Sequence, residues 1–293
     1  MSSNSAVDSN SDPPKSPFWG EPDALTLREG FWLPTFLLDS SSAFRHNFQA
    51  RDGDVLLASP IKTGTTWLMA ISHSLLTKPK SSDADALATN NPHSLVPTVE
   101  FELWSPTTNV NIFDPTSPRL LHTHLPLSLL PASVSKIVYI ARSPEDTLVS
   151  MWHYFNTVAG EVALEKAVEC FCSGAHPFGP FDRHVAEYWQ ESQRRPEKVL
   201  FVKYEEMKRE PKRGVLRIAE FLGRPVGSEE EVEEILWRCS LERLKNLEVN
   251  AAEHSAYFRK GEVRDGKNYL TSEMGDRIHR SVGVKLQELG LFF

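Results

Sequence analysis

Apolar residues gather in short runs at 55–58, 119–123, 136–141 and 199–203, and between these runs apolar positions recur at helical spacing, at about 65–76, 144–156, 161–173, 181–194 and 211–222. Strands alternating with helices at this spacing predict an α/β protein: a mostly parallel central sheet flanked by helices. The run Ile137-Val138-Tyr139-Ile140-Ala141 is uniformly apolar, which suits a central strand covered on both faces. Helix ends are marked too. Ser143-Pro144 followed by Glu145 and Asp146 supplies an N-cap, a first-position proline and acids in the first turn. Pro211 opens a helix whose Val215, Ile218, Ala219 and Leu222 repeat at helical spacing before Gly223 ends it. Sheets of this kind bind ligands beyond the carboxyl ends of their strands, which puts Lys62, His124, Arg142 and Tyr204 on one edge of the sheet.

Composition narrows the possibilities without deciding them. A chain of 293 residues with 40% hydrophobic content can bury a full core, and no repeat or long linker marks an internal boundary, so residues 17–293 are expected to form one domain. Residues 1–16, rich in Ser, Asn, Asp and Pro, can bury almost nothing and are expected to be disordered. No run of 18 apolar residues occurs and the N-terminus has the character of neither a secretory nor a transit peptide, so a soluble, cytoplasmic protein is expected. Cys170, Cys172 and Cys239 are too few and too poorly spaced for a disulfide framework or a zinc site. The formal net charge of −7 argues against nucleic acid or an anionic membrane as partner. An anionic ligand must then rely on local cations: Lys62, Arg142, Arg259 and Lys260.

The most specific stretch is Ser59-Pro60-Ile61-Lys62-Thr63-Gly64-Thr65-Thr66-Trp67, which joins the first apolar run to the start of a helix. Unpaired N–H groups at a helix N-terminus, a glycine that allows close approach and a lysine make a phosphate cradle, and Trp67 adds a ring on which a base can stack. A phosphorylated nucleotide is the expected ligand. The lysine precedes the glycine, so the order is not that of a Walker loop, which disfavours an NTPase. His122 and His124 lie two apart in a strand and face the same way. Three readings stand for them: a metal pair lacking a visible third ligand, buried hydrogen-bonded histidines, and a general base with a pKa near 7.

The chain resembles the cytosolic sulfotransferase family, most of all its plant members. The phosphate loop carries that resemblance, and it continues in order through Arg119-Leu120-Leu121-His122-Thr123-His124-Leu125-Pro126, Lys136 to Asp146, Phe178-Gly179-Pro180-Phe181, Val199 to Glu205 and Phe258-Arg259-Lys260-Gly261. It implies transfer of a sulfuryl group from 3′-phosphoadenosine 5′-phosphosulfate (PAPS, leaving PAP) to a hydroxyl of a small molecule, with no metal. By the same resemblance His124 is the general base and Lys62 stabilises the leaving phosphate. Lys62, Thr63, Gly64, Thr65, Thr66 and Trp67 form the 5′-phosphosulfate loop. Arg142, Ser150, Arg259, Lys260 and Gly261 hold the 3′-phosphate. Trp67 and Tyr204, with the strip Cys239, Ser240, Leu241, Glu242, Arg243 and Leu244, lie against the adenine.

The chain also departs from that family. Pro60-Ile61 stands where proline usually precedes the lysine directly, His122 stands where animal members often carry lysine, and Arg264-Asp265-Gly266-Lys267 replaces Gly-Asp-Trp-Lys. The stretch 250–255 is short for a region that forms a lid, and the animal dimer pattern is broken, so no oligomeric state is expected. The acceptor should be a compact, largely apolar metabolite such as a flavonoid, a brassinosteroid or another hormone-like compound, held by rings among Phe18, Trp19, Phe101, Trp104, Phe155, Phe178, Phe181 and Tyr257. Two other readings remain: a PAPS- or PAP-binding protein without turnover, and a divergent nucleotide kinase.

Overall fold

The computed structural model describes residues 12–77, 85–103, 118–251 and 254–293. A four-stranded sheet lies at its centre, built from β4 (Val55–Ala58), β5 (Leu120–Thr123), β6 (Ile137–Ala141) and β7 (Val199–Lys203) in the order β5-β4-β6-β7. Every pair is parallel, as the strand-helix alternation predicts. Because β5 flanks one side of β4 and β6 the other, the strand order reverses at the carboxyl end of β4, and the crevice of an α/β sheet opens at such a switch point.

The sheet is buried on both faces. Leu56, Ala58, Tyr139, Ala141 and Phe201 join one apolar cluster, and Val55, Leu57, Val138, Ile140 and Val202 join the other. Alternate residues of one strand therefore feed two cores, which is why Ile137–Ala141 lacks a polar position. In chain order the helices are α1 (Leu38–Asn47), α2 (Thr65–Leu76), α3 (Ala86–Thr89), α4 (Pro92–Leu95), α5 (Pro144–Val158), α6 (Leu164–Ser173), α7 (Phe181–Arg194), α8 (Tyr204–Arg209), α9 (Pro211–Phe221), α10 (Glu229–Arg238), α11 (Leu241–Asn246), α12 (Ser272–Ile278) and α13 (Val284–Glu288). The Ser143 hydroxyl caps α5 by accepting from the Asp146 N–H, with Pro144 at its first position, as its sequence requires.

An antiparallel sheet that the apolar pattern does not announce precedes the central one: β1 (Lys15–Phe18), β2 (Glu21–Arg28) and β3 (Phe31–Pro34). Two-residue turns join its strands, Trp19-Gly20 with φ of 50° and 86° and Glu29-Gly30 with φ of 51° and 84°. Positive φ at both positions gives the twist that antiparallel strands need. Lys15 and Ser16, assigned by composition to the disordered segment, belong to β1 and pair with Thr26 and Leu25. The Pro14 carbonyl also accepts from the Leu27 N–H at 2.8 Å, so the expected disorder does not extend to residues 14–16. No helix among the described residues is long and apolar enough to cross a membrane.

Candidate active site

Four strand ends deliver four different groups to one opening: the Lys62 loop after β4, His124 after β5, Arg142 after β6 and Tyr204 after β7. All four line a cavity of about 1010 Å³. In the loop after β4, Lys62 (φ +68°) and Gly64 (φ +114°) are both left-handed, a backbone form that turns N–H groups toward an anion. A Cβ on Gly64 would lie 2.8 Å from Tyr204 Cδ2 and 3.0 Å from Ile140 Cδ1, so glycine is required there by space as well as by φ. The Thr63 hydroxyl lies 2.9 Å from the Pro60 carbonyl and 3.0 Å from that of Ile140. Thr63 is fully buried and does not line the cavity; its side chain ties the loop to β6.

Lys62 Nζ sits 4.3 Å from the centre of the Tyr154 ring and 5.4 Å from that of Tyr257, and donates to the Ala256 carbonyl at 3.3 Å. No carboxylate among the described residues pairs with it. Burial, then the charges of Arg259 and Arg142, push its pKa down to about 7. An unpaired ammonium surrounded by rings and cations gains the most from an arriving anion.

His124 is held on three sides. Its backbone N–H donates to Glu100 Oε1 at 2.6 Å, its carbonyl accepts from His184 Nε2 at 2.9 Å, and its Nδ1 lies 2.8 Å from the Ser59 carbonyl. A carbonyl oxygen accepts only, so Nδ1 carries the proton and Nε2 keeps a free lone pair. The partner histidine is fixed in the same way, since His184 Nδ1 lies 3.0 Å from the Tyr139 hydroxyl. Burial, opposed by the Ser59 hydrogen bond and reinforced by the Lys62 charge, lowers the His124 pKa to about 4. That departs from the near-neutral base the sequence suggests. The histidine is a weaker base than free imidazole, but it stays neutral at every physiological pH. His122, its ring 4.5 Å from that of His124, lies behind it with no exposure and outside the cavity wall. Burial, then His124 and His93, hold its pKa well below the ordinary value, so no second cation stands there. No group of three or more potential metal-binding side chains occurs among the described residues.

Three further cations, Arg142, Arg259 and Lys260, line the same cavity. Arg142 Nη2 donates to Asp146 Oδ2 at 3.1 Å and to the Glu262 carbonyl at 2.5 Å, its guanidinium lies 4.7 Å from the Tyr204 ring, and its buried Nε has no partner among the described residues. Arg259 Nη1 and Lys260 Nζ stand 2.6 Å and 3.0 Å from the two oxygens of Asp265. The Arg259 contact is an ion pair without hydrogen-bond alignment, and Arg259 Nε is likewise unpartnered. Asp146 also accepts the backbone N–H groups of Arg264 and Gly266, each at 2.8 Å. The departure at Arg264-Asp265-Gly266-Lys267 thus has a structure: its acid anchors both Arg259 and Lys260, and its glycine packs against α5, where a Cβ would lie 3.1 Å from Glu145 Cβ.

Trp67 and Tyr204 line the cavity edge to face, 5.7 Å apart at 70°, and Cys239, Ser240, Leu241 and Leu244 continue that wall. Glu242 is exposed, and Arg243 turns away to Asp85 at 2.5 Å and to the Arg238 carbonyl at 2.8 Å; neither reaches the cavity. Ser150, Gly261, Thr65 and Thr66 do. Of the rings expected around an acceptor, Phe18, Phe101, Phe155, Phe178 and Tyr257 line the cavity. Trp19 and Phe181 are packed into the core instead, and Trp104 lies outside the described residues.

The sulfotransferase domain pattern matches residues 52–290. This chain belongs to the sulfotransferase family. It is 42% identical over 288 residues to cytosolic sulfotransferase 5 of Arabidopsis thaliana, covering 90% of this chain and 89% of that one, and 40% identical over 295 residues to cytosolic sulfotransferase 14 of the same plant, covering 92% and 85%. A crystal structure of an Arabidopsis thaliana sulphotransferase, assigned provisionally to steroids, superimposes with a TM-score of 0.78 at 35% identity over 96% of this chain and 92% of that one. Retinol dehydratase, solved with androsterone and the inactive cofactor PAP, shares the fold at a TM-score of 0.77 and 22% identity, covering 91% and 90%. The protein is a PAPS-dependent sulfotransferase by membership.

Several groups of this sulfotransferase site escape sequence reasoning. Glu100, fully buried, also accepts the Thr123 hydroxyl at 2.9 Å, and burial raises its pKa to about 7. An acid inside the apolar stretch Val96-Pro97-Thr98-Val99-Glu100-Phe101 is the one local signal for it. His93 stacks on Tyr257 with ring centres 4.4 Å apart and lies 3.0 Å from the Thr66 hydroxyl. Nothing in its neighbourhood in the sequence marks it.

Proposed function

We propose that this protein transfers a sulfuryl group from PAPS to a hydroxyl of a small, largely apolar metabolite in the cytosol, with His124 as general base and Lys62 as the cation at the leaving phosphate. The observation that carries the reading is the fixed His124 tautomer, which turns a lone pair toward the cavity that Lys62 also lines. The residues fit the nucleotide: buried guanidinium nitrogens of Arg142 and Arg259 lack partners, and a Cβ on Gly64 or Gly261 would collide with Tyr204 or Leu241. Lys62, Gly64, Thr65 and Thr66 would hold the 5′ end, Arg142, Ser150, Arg259, Lys260 and Gly261 the 3′-phosphate, and Trp67, Tyr204 and the Cys239–Leu241 wall the base. When bound, the cofactor supplies an activated sulfuryl group whose departure leaves negative charge on a phosphate.

His124 Nε2 takes the acceptor's proton as the hydroxyl becomes a nucleophile, and the Ser59 carbonyl stabilises the imidazolium through Nδ1–H. Lys62, unpaired before the reaction, meets charge as it develops, so its stabilisation is greatest in the transition state. The acceptor end is ringed by Phe18, Phe101, Phe155 and Phe178, which suits an apolar body and gives a polyanionic sugar or an acidic peptide no counter-charge. A nucleic acid or a membrane partner is not part of the reading, nor is a metal. Labelled sulfate transfer from PAPS across steroids, flavonoids, terpenoid hormones and hydroxy acids tests it. Preferred sulfation of heparan-type oligosaccharides or tyrosine peptides would refute the acceptor class. Nucleotide binding without transfer would instead support a non-catalytic binding protein, and transfer from ATP a kinase.

A further inference from the structure

His122 has no part in the chemistry above, yet it lies at the middle of a continuous line of hydrogen-bonding groups. Its Nε2 is 3.0 Å from Ser59 Oγ, which is 2.7 Å from Thr65 Oγ1; its Nδ1 is 3.1 Å from Thr98 Oγ1. Ser59 and His122 have no exposure, while the end members Thr65 and Thr98 both line the cavity. Thr65 opens α2, a helix of 12 residues, at the phosphate loop. The Thr98 carbonyl accepts from the N–H of Phe101 at 3.1 Å, so Thr98 stands beside one of the rings that line the same cavity.

The proton count limits what this line can do. Each hydroxyl carries one proton, and a neutral imidazole carries one on either nitrogen. Four protons are thus available for three contacts. Burial keeps His122 neutral, so two arrangements fill all three contacts and leave no buried donor unpaired. In one, Thr65 donates to Ser59, Ser59 to Nε2, and Nδ1–H to Thr98, whose own proton turns to the cavity. In the other every bond reverses: Thr98 donates to Nδ1, Nε2–H to Ser59, Ser59 to Thr65, and the Thr65 proton turns to the cavity. A mixed pattern either strands the Ser59 proton in a buried site or leaves one of these close contacts without a proton, and an unpaired buried polar group costs about 1–3 kcal/mol.

We propose that His122 is a tautomeric relay, a positioning residue through which an anion at the phosphate loop sets the hydrogen-bond polarity of Thr98 on the acceptor side. The relay rests on the reading of the loop as the nucleotide site. A phosphate oxygen at the N-terminus of α2 accepts hydrogen bonds and never donates them at neutral pH, so it selects the arrangement in which Thr65 points outward. His122 then holds its proton on Nε2, and Thr98 spends its proton on Nδ1. In the loaded protein Thr98 offers the cavity lone pairs alone. The acceptor side then favours a molecule that brings a hydrogen-bond donor to Thr98 and disfavours one that brings a carbonyl. Nucleotide binding and acceptor choice become linked through four side chains with no movement of the backbone.

The test is the imidazole nitrogen spectrum of the full chain labelled with 15N-histidine, recorded near pH 7.5 with and without adenosine 3′,5′-bisphosphate, while calorimetry reads nucleotide binding separately. The variant H122N identifies the His122 signals. If H122N does not fold, T98V serves instead, because it removes one of the two partners of the His122 ring and no partner of another histidine. With nucleotide bound, the protonated nitrogen of His122 should be Nε2, with Nδ1 showing the shift of a hydrogen-bonded lone pair. Binding with the proton on Nδ1, or with both nitrogens protonated, overturns the relay and leaves the nucleotide site intact. No calorimetric binding overturns the reading of the site itself, and the relay with it.

Discussion

Binding of adenosine 3′,5′-bisphosphate at pH 8 should draw nearly one proton from solution onto Lys62. With a pKa lowered to about 7, the free protein holds roughly one-tenth of a proton on this amine at pH 8 and roughly nine-tenths at pH 6. A phosphate beside the ammonium replaces the desolvation penalty with attraction and lifts the pKa well above 8. Uptake by Lys62 should therefore be about 0.9 proton at pH 8 and about 0.1 at pH 6, where the ligand's phosphates, with a second pKa of about 6, also release protons on entering a cationic site. Affinity should fall about tenfold per unit above pH 8, because each added unit makes the charged free form ten times rarer. His124 and His93, with pKa values near 4 and 3, are neutral throughout and contribute little. The assay is titration calorimetry in two amine buffers of different ionisation enthalpy, where the slope of apparent enthalpy gives the proton count. In K62M the uptake at pH 8 should vanish while weaker binding remains. Uptake below about 0.2 proton by the parent protein, with binding intact, would mean that Lys62 is already charged, and the argument from burial and neighbouring cations would fail.

The remaining predictions concern single groups. H124A should lose roughly 10²–10⁴ in transfer rate while binding nucleotide nearly as before, read from initial rates beside calorimetry; activity within a few-fold of the parent removes His124 from the chemistry. Replacing Arg259 and Lys260 together with Ala should reduce discrimination between the bisphosphate and its analogue without the 3′-phosphate at least tenfold, since charge-assisted contacts are worth about 1.5–3 kcal/mol each; equal loss for both nucleotides would make the pair a support of the fold. Glu100, its pKa raised to about 7, binds its proton more tightly folded than unfolded. Its contribution to stability is therefore full below about pH 4.5 and lost as pH rises through 7. E100Q, which cannot ionise, should gain stability relative to the parent across that window, by up to about 3 kcal/mol at pH 8, and chemical unfolding at pH 5 and pH 8 reads the difference.

The central sheet was legible because each of its strands is a compact apolar run next to a helix signal, and the observed strands begin within one residue of the runs. The antiparallel sheet was not, and its turns explain why. Both left-handed turns end in glycine, but their first positions are Trp19 and Glu29, residues that seldom take positive φ, so neither pair reads as a hairpin. The site divides in a similar way. Groups on the loop after β4 or just past a strand end could be read, since position along the chain fixes position on the sheet edge. Glu100 and His184 could not, because their contact with the site depends on which distant backbone packs against it: 24 residues separate Glu100 from the His124 N–H that donates to it, and 60 separate His184 from the His124 carbonyl. Glu242 and Arg243 show the converse. They sit in a matching strip, yet α11 turns them away from the wall that Leu241 and Leu244 form.

An acidic chain can hold a polyanion because its cations are arranged before the ligand arrives. Asp265 fixes Arg259 and Lys260, and Asp146 fixes Arg142 together with the backbone that leads into the clamp. Each acid cancels charge at long range, which keeps the whole molecule negative, but at close range it orients donors and leaves the Arg142 and Arg259 Nε atoms without partners. Ordering those long side chains costs rotamer entropy, and here folding has already supplied it, so less is lost when a phosphate docks. Lys62 follows the opposite design. It pairs with no carboxylate among the described residues, stays near half-charged at neutral pH, and on the proposed reading takes its full charge when an anion is beside it. On the proposed reading Arg142, Arg259 and Lys260 thus suit ground-state recognition, where constant affinity matters. On the same reading the lysine suits the place where charge grows, because a cation already satisfied by a carboxylate would gain less as the bond to the leaving phosphate breaks.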